Sequence, residues 1–426
     1  MKKLLLLVTI MLASMGSKAQ TVEPDSEGMT LSAQEWTRDV VMGWNLGNSL
    51  ECPNTETEWG NPKTTQAMIH AVAEAGFNAI RIPVRWINHV NNTTDMVVNA
   101  DWLARVKEVV DWCLDENMYV IINTHHEDWY DRNPYYSKQE ENNRKLAALW
   151  TCVATYFRDY DQRLIFAGTN ETTVNWAAPT AEQQAVQNSY NQTFVNAVRA
   201  TGGNNLKRHL IVQTYNCSVD YGLKNYAFIT PWDVTGNDNN YLSVEVHYYT
   251  PWDYCGTNKY FYWGEPFQQY GPTPSYNETS LRNDFDQMAQ AWGQTGLGVI
   301  IGEWGVTDHW TTVGRKELIH QNMTYYCKTL VSEARQRGFA TFVWDNGVFG
   351  NGEEKFGIFD RQNAMALTAD WIVSGIQQGI ATGIAPLTAD RDGRETTRPQ
   401  KLLHQGKVII MKGENRYQLT GMRFEN

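Results

Sequence analysis

A repeated unit constrains the fold of this chain more than any other feature of its sequence. Between residues 40 and 371, a short apolar, β-branched run is followed each time by a polar stretch and an amphipathic segment. Eight such runs occur, at intervals of roughly forty residues. They are Val41–Leu46, Phe77–Ile82, Tyr119–Asn123, Leu164–Gly168, Leu210–Gln213, Leu242–Val246, Val299–Gly302 and Ala340–Trp344. Alternating strands and helices in this number predict an α/β fold, the (β/α)8 TIM barrel.

The segments between the runs have the periodicity of helices that bury one face. Leu103, Val106 and Val110 recur three to four residues apart, which is the spacing of one helix face. Gly76 and Gly338 each follow such a segment and precede an aromatic residue, which predicts a helix that ends at a left-handed glycine. The loop after the first run lacks the third glycine of a dinucleotide-binding motif. An open, doubly wound sheet is therefore the less favoured alternative.

The amino terminus has the pattern of an export signal. Residues 1–19 combine a basic start, an apolar run over Leu4–Leu12 and the small-x-small sequence Ser17-Lys18-Ala19. We therefore expect a signal peptide, and a protein that is secreted or held at the cell surface, the bacterial periplasm or outer surface included.

Composition divides the remainder of the chain. The divisions are a lead-in at 20–36, the barrel domain at 37–378, a linker at 379–400 and a short C-terminal β tail at 401–426. Within the tail, Lys407–Met411 and Tyr417–Leu419 flank a polar turn, which predicts a β-hairpin. The tail is weakly similar to the sorting segments of exported proteins.

Charge and residue spacing exclude several classes of partner. The formal net charge of −11 disfavours nucleic acid, and no segment after the signal peptide approaches the 18 apolar residues of a membrane span. The six cysteines have no C-x-x-C spacing, and the sequence His125-His126-Glu127-Asp128 has Tyr130 where a zinc-binding helix needs a second histidine. We expect no metal, no cofactor and a monomer.

Polar and aromatic side chains follow the predicted strands, at the end of the barrel where active sites form. In chain order they are Asn45 and Asn48, Arg81, His125 and His126, Asn170 and Glu171, His247 and Tyr249, Glu303, and Trp344 with Asp345. The two glutamates are the pair of carboxylates that glycosidic cleavage requires, one to protonate the leaving oxygen and one to attack the sugar carbon. Burial should raise the pKa of the acid, and Arg81 should keep the nucleophile ionised. A glutamate alone is more often an ion-pair partner, and an inactive glycan-binding barrel is a second reading.

These motifs together resemble glycoside hydrolase family 5, the retaining endo-glucanase and mannanase family of (β/α)8 barrels. The resemblance covers residues 37–378. It rests on Gly43–Asn48, Ile80–Val84, His125-His126, Asn170-Glu171, His247–Tyr249, Gly302–Trp304 and Trp344–Gly347. Segments near Trp59, Trp252 and Asn346 further resemble subfamily 4, whose members hydrolyse cellulose-like, mixed-linkage and xyloglucan chains. Thr172 and Ala167 depart from the family pattern, which has Pro and an acidic residue at these positions.

The resemblance implies a role for each residue of the site. Glu171 is similar to the acid/base and Glu303 to the nucleophile, which Arg81 and Tyr249 would hold. Asn170 resembles the contact to the sugar 2-hydroxyl, His125 and His247 resemble the histidines of the site, and Trp344 resembles the sugar platform. Asn48, His126 and Asp345 are expected to contact substrate.

Aromatic residues in the loops after the strands predict an open cleft for a polysaccharide. They are Trp59, Trp129, Tyr130, Trp176, Trp252, Tyr254 and Trp263. Because stacking reads the flat face of a sugar, we expect a β-glucan chain as substrate, branched xyloglucan included. A mannan- or xylan-directed hydrolase of the same fold is the alternative.

Overall fold

The computed structural model describes residues 29–224, 227–236 and 240–383, and the backbone of 400–404, 407–412 and 415–418. The predicted signal peptide at 1–19, residues 20–28 of the lead-in and residues 384–399 of the linker lie outside the described residues. No helix among the described segments is long and apolar enough to cross a membrane.

Eight parallel strands close into a barrel, which confirms the predicted fold. Each strand pairs with the next in sequence, and β8 returns to pair with β1. The strands are β1 Gly43–Leu46, β2 Ala79–Ile82, β3 Tyr119–Asn123, β4 Leu164–Ala167, β5 Leu210–Gln213, β6 Leu242–His247, β7 Gly298–Trp304 and β8 Ala340–Asp345. β1 begins later than predicted, because the N–H groups of Val41 and Met42 donate to the Asn78 side chain instead of a strand. β7 extends further and carries Glu303 on the strand itself.

Helices surround the barrel and bury the faces that the sequence predicts. They are α1 Ala33–Asp39, α2 Gln66–Glu74, α3 Ala100–Asp115, α4 Asp128–Asp131, α5 Tyr136–Tyr156, α6 Ala181–Ala200, α7 Val219–Leu223, α8 Trp252–Cys255, α9 Glu278–Ala291, α10 Trp310–Val313, α11 Lys316–Gln336 and α12 Asp370–Thr382. Leu103, Val106 and Val110 are buried on α3. Gly76 and Gly338 follow α2 and α11 with φ of +102° and +76°, as predicted for glycines that end a helix.

The core has two layers. Inside the barrel, small and branched side chains such as Ala167, Ile211 and Ile300 fill the space, and α1 packs against its base with Trp36 fully buried. A larger apolar layer lies between the strands and the helices. This packing fixes the strand ends, where the polar residues of the site are found.

Short strands follow the barrel. β9 Phe359–Asp360 pairs with β10 Ala366–Leu367 in an antiparallel arrangement. At the carboxyl end, β12 Lys407–Lys412 and β13 Asn415–Gln418 form the predicted hairpin. β11 Gln400–His404 adds a third antiparallel strand, which was not part of the predicted hairpin and which lies almost entirely within the predicted tail.

Candidate active site

Two glutamates face each other at the carboxyl ends of the strands. Glu171 follows β4, and Glu303 lies on β7 with its side chain almost completely buried. Together with His247 they bring carboxylate and imidazole atoms within 4.8 Å of one another. The barrel thus brings the two predicted carboxylates close together at the carboxyl end of its strands.

Arg81 ties Glu303 to the neighbouring strands. Its fully buried guanidinium donates from Nη1 to Glu303 Oε1 at 2.8 Å and to Asn45 Oδ1 at 3.1 Å. Nη2 donates to Asn170 Oδ1 at 2.7 Å, and Nε lies 2.9 Å from Glu245 Oε1. One cation therefore holds the predicted nucleophile and the predicted sugar-contacting amide in register.

Tyr249 and His247 complete the shell around the two glutamates. The Tyr249 hydroxyl donates to Glu303 Oε2 at 3.2 Å. His247 Nδ1 is 2.6 Å from Glu171 Oε1, while its Nε2 lies 3.6 Å from both Glu303 and Glu245. A single imidazole thus stands among three carboxylates.

The pKa values of this cluster follow from burial and from that imidazole. Burial lowers the pKa of His247, but Cys217 and the carboxylates of Glu303 and Glu171 outweigh burial and move the pKa well above its usual value. Burial raises the pKa of Glu171, but the charge and hydrogen bond of His247 lower it by a larger amount, so the net shift is downward. Burial raises the pKa of Glu303, and Arg81 and His247 offset this only in part.

The direction for Glu171 is opposite to the expected one, since a raised pKa was predicted for this acid. The pKa of Glu303 shifts upward although Arg81 contacts its carboxylate. The contact between His247 Nδ1 and Glu171 Oε1 reverses the shift of the Glu171 pKa. No local sequence pattern indicates this contact, because the two residues are 76 positions apart.

Two further histidines and Trp344 line the same space. His125 is buried, and the pKa of its ring is lowered well below its usual value by burial and by the neighbouring His126 and Arg81. It stacks parallel to Trp344 with ring centroids 6.1 Å apart. Burial lowers the pKa of His126 to about 4, and its ring meets the edge of Trp59. Both imidazole rings are therefore neutral near pH 7.

The loop aromatics separate into two groups. Trp59, Trp176 and Trp252 are 39%, 61% and 45% exposed, and Trp129 is partly buried with its indole donating to Glu127. The expectation that Tyr130, Tyr254 and Trp263 line the cleft is wrong, because all three are fully buried. The hydroxyl of Tyr254 donates to Asn322, and the indole of Trp263 donates to the Tyr276 carbonyl. The long loop after β6 therefore packs into the apolar layer between the strands and the helices.

Asp345 is also placed differently from the expectation. It is fully buried and accepts hydrogen bonds from the Trp44 indole and from the N–H groups of Gly347, Ile358 and Phe359. Its carboxylate therefore organises the loop after β8 and has no surface for a substrate contact. Asn48 is partly exposed at the site with a left-handed backbone, φ +54°, and its N–H donates to Glu51.

Three further residues beside the two glutamates were not predicted from the sequence, namely Glu245, Gln213 and Cys217. Glu245 lies two residues before His247 on β6, so both side chains point into the barrel, a signal that strand alternation could have provided. Gln213 ends β5 and donates to Glu245 at 2.7 Å. The Cys217 thiol donates to the Asn170 carbonyl at 3.3 Å.

The carboxylate and imidazole atoms of the pair are engaged with protein groups. A guanidinium contacts Glu303 at 2.8 Å, and an imidazole contacts Glu171 at 2.6 Å. Glu171, His247 and Glu303 lie close enough together to hold a metal ion, but each already has a protein partner among the described residues. The absence of a metal requirement remains a prediction.

Comparisons with known proteins agree with this geometry. Residues 45–350 match the family model described as cellulase, glycosyl hydrolase family 5. The chain is 34% identical over 368 residues to a cellulase/esterase of Acetivibrio thermocellus, covering 84% of this chain and 42% of that protein. It thus spans less than half the length of this relative.

Solved structures share the whole barrel. A Bacteroides ovatus GH5 xyloglucanase in complex with a XXXG heptasaccharide superposes with a TM-score of 0.76 at 31% identity, covering 84% of this chain and 79% of that one. A GH5-4 broad specificity endoglucanase from Clostridium acetobutylicum gives 0.72 at 32% identity, covering 81% of this chain and 99% of that one. The chain therefore belongs to glycosyl hydrolase family 5, and it is most like subfamily 4 of that family.

Proposed function

We propose that this protein is a retaining endo-β-1,4-glucanase that cleaves β-glucan chains by double displacement. The observation that carries the proposal is the pair Glu171 and Glu303, with carboxylate oxygens within 4.8 Å of each other. Retaining glycosidases hold their two carboxyl groups about 5 to 5.5 Å apart, whereas inverting enzymes leave room for a water between them. The separation therefore favours direct attack by a carboxylate.

In the first step, Glu303 attacks the anomeric carbon while the glycosidic bond to the leaving sugar breaks. The leaving oxygen takes a proton from Glu171, which is thereby left as a carboxylate 2.6 Å from His247. The products are a glycosyl ester on Glu303 and a released chain end. Two inversions at one carbon retain the β configuration.

In the second step, Glu171 is a carboxylate and removes a proton from water. That water attacks the anomeric carbon, the ester bond to Glu303 breaks, and its carboxylate is regenerated beside Arg81 and Tyr249. Both groups stabilise the negative charge that returns to Glu303. Donors already in place give this stabilisation without reorganisation.

The substrate is a soluble β-glucan, with mixed-linkage glucan and xyloglucan included. Exposed Trp59, Trp176 and Trp252 offer flat faces that bind a sugar ring without reading its side branches. The printed names of the structural neighbours, a xyloglucanase and a broad specificity endoglucanase, support the same choice. A mannan- or xylan-directed activity is the outcome that a polysaccharide panel would reveal instead.

Two features of the whole protein belong to the proposal. The pattern at residues 1–19 supports export to the cell surface or beyond, and we expect a monomer. Sequencing the amino terminus of the exported protein tests the first, and light scattering tests the second. A mature chain that still begins at Met1 would contradict export through a cleaved signal.

Proton NMR of the first product tests the mechanism. A retaining enzyme releases the β-anomer from a β-glucan, and the α-anomer appears only later by mutarotation. An initial α-anomer would contradict double displacement. Absence of any reducing sugar from glucans, mannans and xylans alike would favour the inactive glycan-binding barrel.

A further inference from the structure

Glu245 is a third carboxylate directly beneath the two glutamates of the candidate site. It lies on β6 and is fully buried. Its Oε1 atom is 2.9 Å from Arg81 Nε, and its Oε2 atom accepts a hydrogen bond from Gln213 Nε2 at 2.7 Å. A carboxylate with no access to water, held by two side chains from other strands, has one fixed orientation.

Glu245 occupies the third edge of the Arg81 guanidinium. The other two nitrogens of that group reach Glu303 and Asn170, at 2.8 Å and 2.7 Å. The Arg81 guanidinium is thus held from three sides, by hydrogen bonds at its two terminal nitrogens and by the ion pair with Glu245 at Nε. Glu245 thereby sets where Arg81 stands relative to the nucleophile.

Gly302 provides the space that this arrangement needs. A Cβ built on Gly302 would overlap the Glu245 carboxylate. Gly302 precedes Glu303 on β7, and its carbonyl accepts a hydrogen bond from the Asn45 side chain at 2.9 Å. The glycine before the nucleophile is therefore explained by the carboxylate beside it.

Glu245 also supplies a permanent negative charge to the site. Burial raises its pKa, but Arg81, His247 and Gln213 outweigh burial and lower the pKa to about 2. Its Oε1 atom lies 3.6 Å from His247 Nε2. A fixed charge at this distance favours the proton that His247 and Glu171 share, and it competes with Glu303 for Arg81.

We propose that Glu245 is a positioning residue that fixes Arg81 between nucleophile and acid/base and that retains the proton of the Glu171–His247 pair toward alkaline pH. This inference rests on the double-displacement function proposed above. The titratable and charged groups that face this pair come from every neighbouring strand. They are Arg81 from β2, His125 and His126 after β3, Glu171 after β4, Cys217 after β5, Tyr249 after β6 and Glu303 on β7.

Glu245→Gln tests the charge, with kcat/KM on an unactivated cello-oligosaccharide measured from pH 4 to 9. Loss of the negative charge should weaken proton binding by the Glu171–His247 pair, so the alkaline limb moves to lower pH. Without the Glu245 charge, Arg81 should interact more strongly with Glu303 and lower its pKa. The acidic limb should therefore also move to lower pH. We expect the whole profile to shift by about one to three pH units, given charges about 4 Å apart.

Asp233→Asn is the matched control. Asp233 is a buried carboxylate that binds Arg199 at 2.8 Å, near the last turn of α6 and away from the site. Its loss breaks a buried ion pair of the same kind, so it should lower the melting temperature without moving the pH profile. A folded Glu245→Gln variant with the profile of the unsubstituted protein would overturn the inference.

Glu245→Asp distinguishes the effect of the carboxylate's position from the effect of its charge. It also tests the inference if the Glu245→Gln variant does not fold. It keeps the charge but withdraws the carboxylate by one carbon–carbon bond from Arg81. We expect kcat/KM to fall about tenfold or more, with both limbs of the profile close to their original positions. Unchanged kcat/KM in this variant would contradict the positioning role.

Glu303→Gln distinguishes failure of the inference from failure of the proposed function. Full activity of Glu303→Gln would contradict double displacement by Glu303, whatever the result for Glu245. An inactive Glu303→Gln variant, together with an unchanged pH profile of Glu245→Gln, would contradict only the role of Glu245.

Discussion

Replacing Arg81 by Met should make the nucleophile protonate at a higher pH. The guanidinium contacts Glu303 at 2.8 Å and Glu245 at 2.9 Å, inside a fully buried cluster. With charge centres about 4 Å apart and an effective dielectric constant of about 20, the attraction to Glu303 is about 4 kcal/mol. At 1.36 kcal/mol per pKa unit, that corresponds to about two to three units, since solvent and neighbouring groups compensate in part.

The assay is kcat/KM against pH on an aryl β-cellobioside, whose leaving group needs no protonation. The acidic limb then reports the ionisation of Glu303, and Arg81→Met should move it about two to three units higher. At pH 5 the activity should fall about 100-fold or more, and it should recover in part as the pH rises. The free energy of unfolding should also fall by about 3 to 5 kcal/mol, because two buried carboxylates lose their partner.

Arg81→Lys is the control for charge. It keeps a cation near Glu303, so the acidic limb should stay within about one unit, but a lysine cannot reach Asn45, Asn170 and Glu245 together. Activity should therefore drop without a large shift in the profile. A folded Arg81→Met variant whose acidic limb coincides with that of the unsubstituted protein would refute the electrostatic role of Arg81.

Three other predictions follow from the geometry. Trp176→Ala should lower kcat/KM on long polymers about 5- to 30-fold, because an exposed stacking face is lost. Trp263→Ala should instead lower the free energy of unfolding by about 3 to 5 kcal/mol, because it leaves a cavity in the core. Equal melting temperatures of the two variants would contradict this contrast. Prolonged dialysis against EDTA should leave the hydrolysis of carboxymethyl cellulose unchanged, and recovery of lost activity by one added divalent cation would contradict a metal-free mechanism. Thiol titration in denaturant without reductant should find six free cysteines, since none is paired in the structure; four or fewer would indicate a disulfide.

The parts of the fold that repeat could be predicted from the sequence. Apolar runs at regular intervals fix the eight strands, and polar residues that end those runs fall at one rim by the geometry of parallel strands. This reasoning predicts that Glu171, Glu303, Arg81 and Tyr249 lie together at that rim, without any knowledge of distances. Glu245 was missed because a carboxylate inside an apolar run looks like an interruption until its partner across the barrel is known.

The pKa values and the burial that the sequence did not predict depend on contacts between residues far apart in the chain. The pKa of Glu171 depends on His247, and no local pattern connects them. Tyr254 and Trp263 looked like loop aromatics, but their loop folds against Asn322 on α11 and the carbonyl of Tyr276, so their rings are buried. Asp345 looked like a polar strand end, but three backbone N–H groups converge on it.

Trapping the glycosyl intermediate tests the central claim most directly. A cellobiosyl fluoride with fluorine in place of the 2-hydroxyl should form the ester and hydrolyse it slowly, so that the modified protein can be digested and its peptides weighed. The mechanism proposed here predicts one cellobiosyl unit on Glu303, and none in Glu303→Gln. A sugar attached to Glu171, or turnover with no attached sugar at any time, would contradict the assignment of Glu303 as the nucleophile.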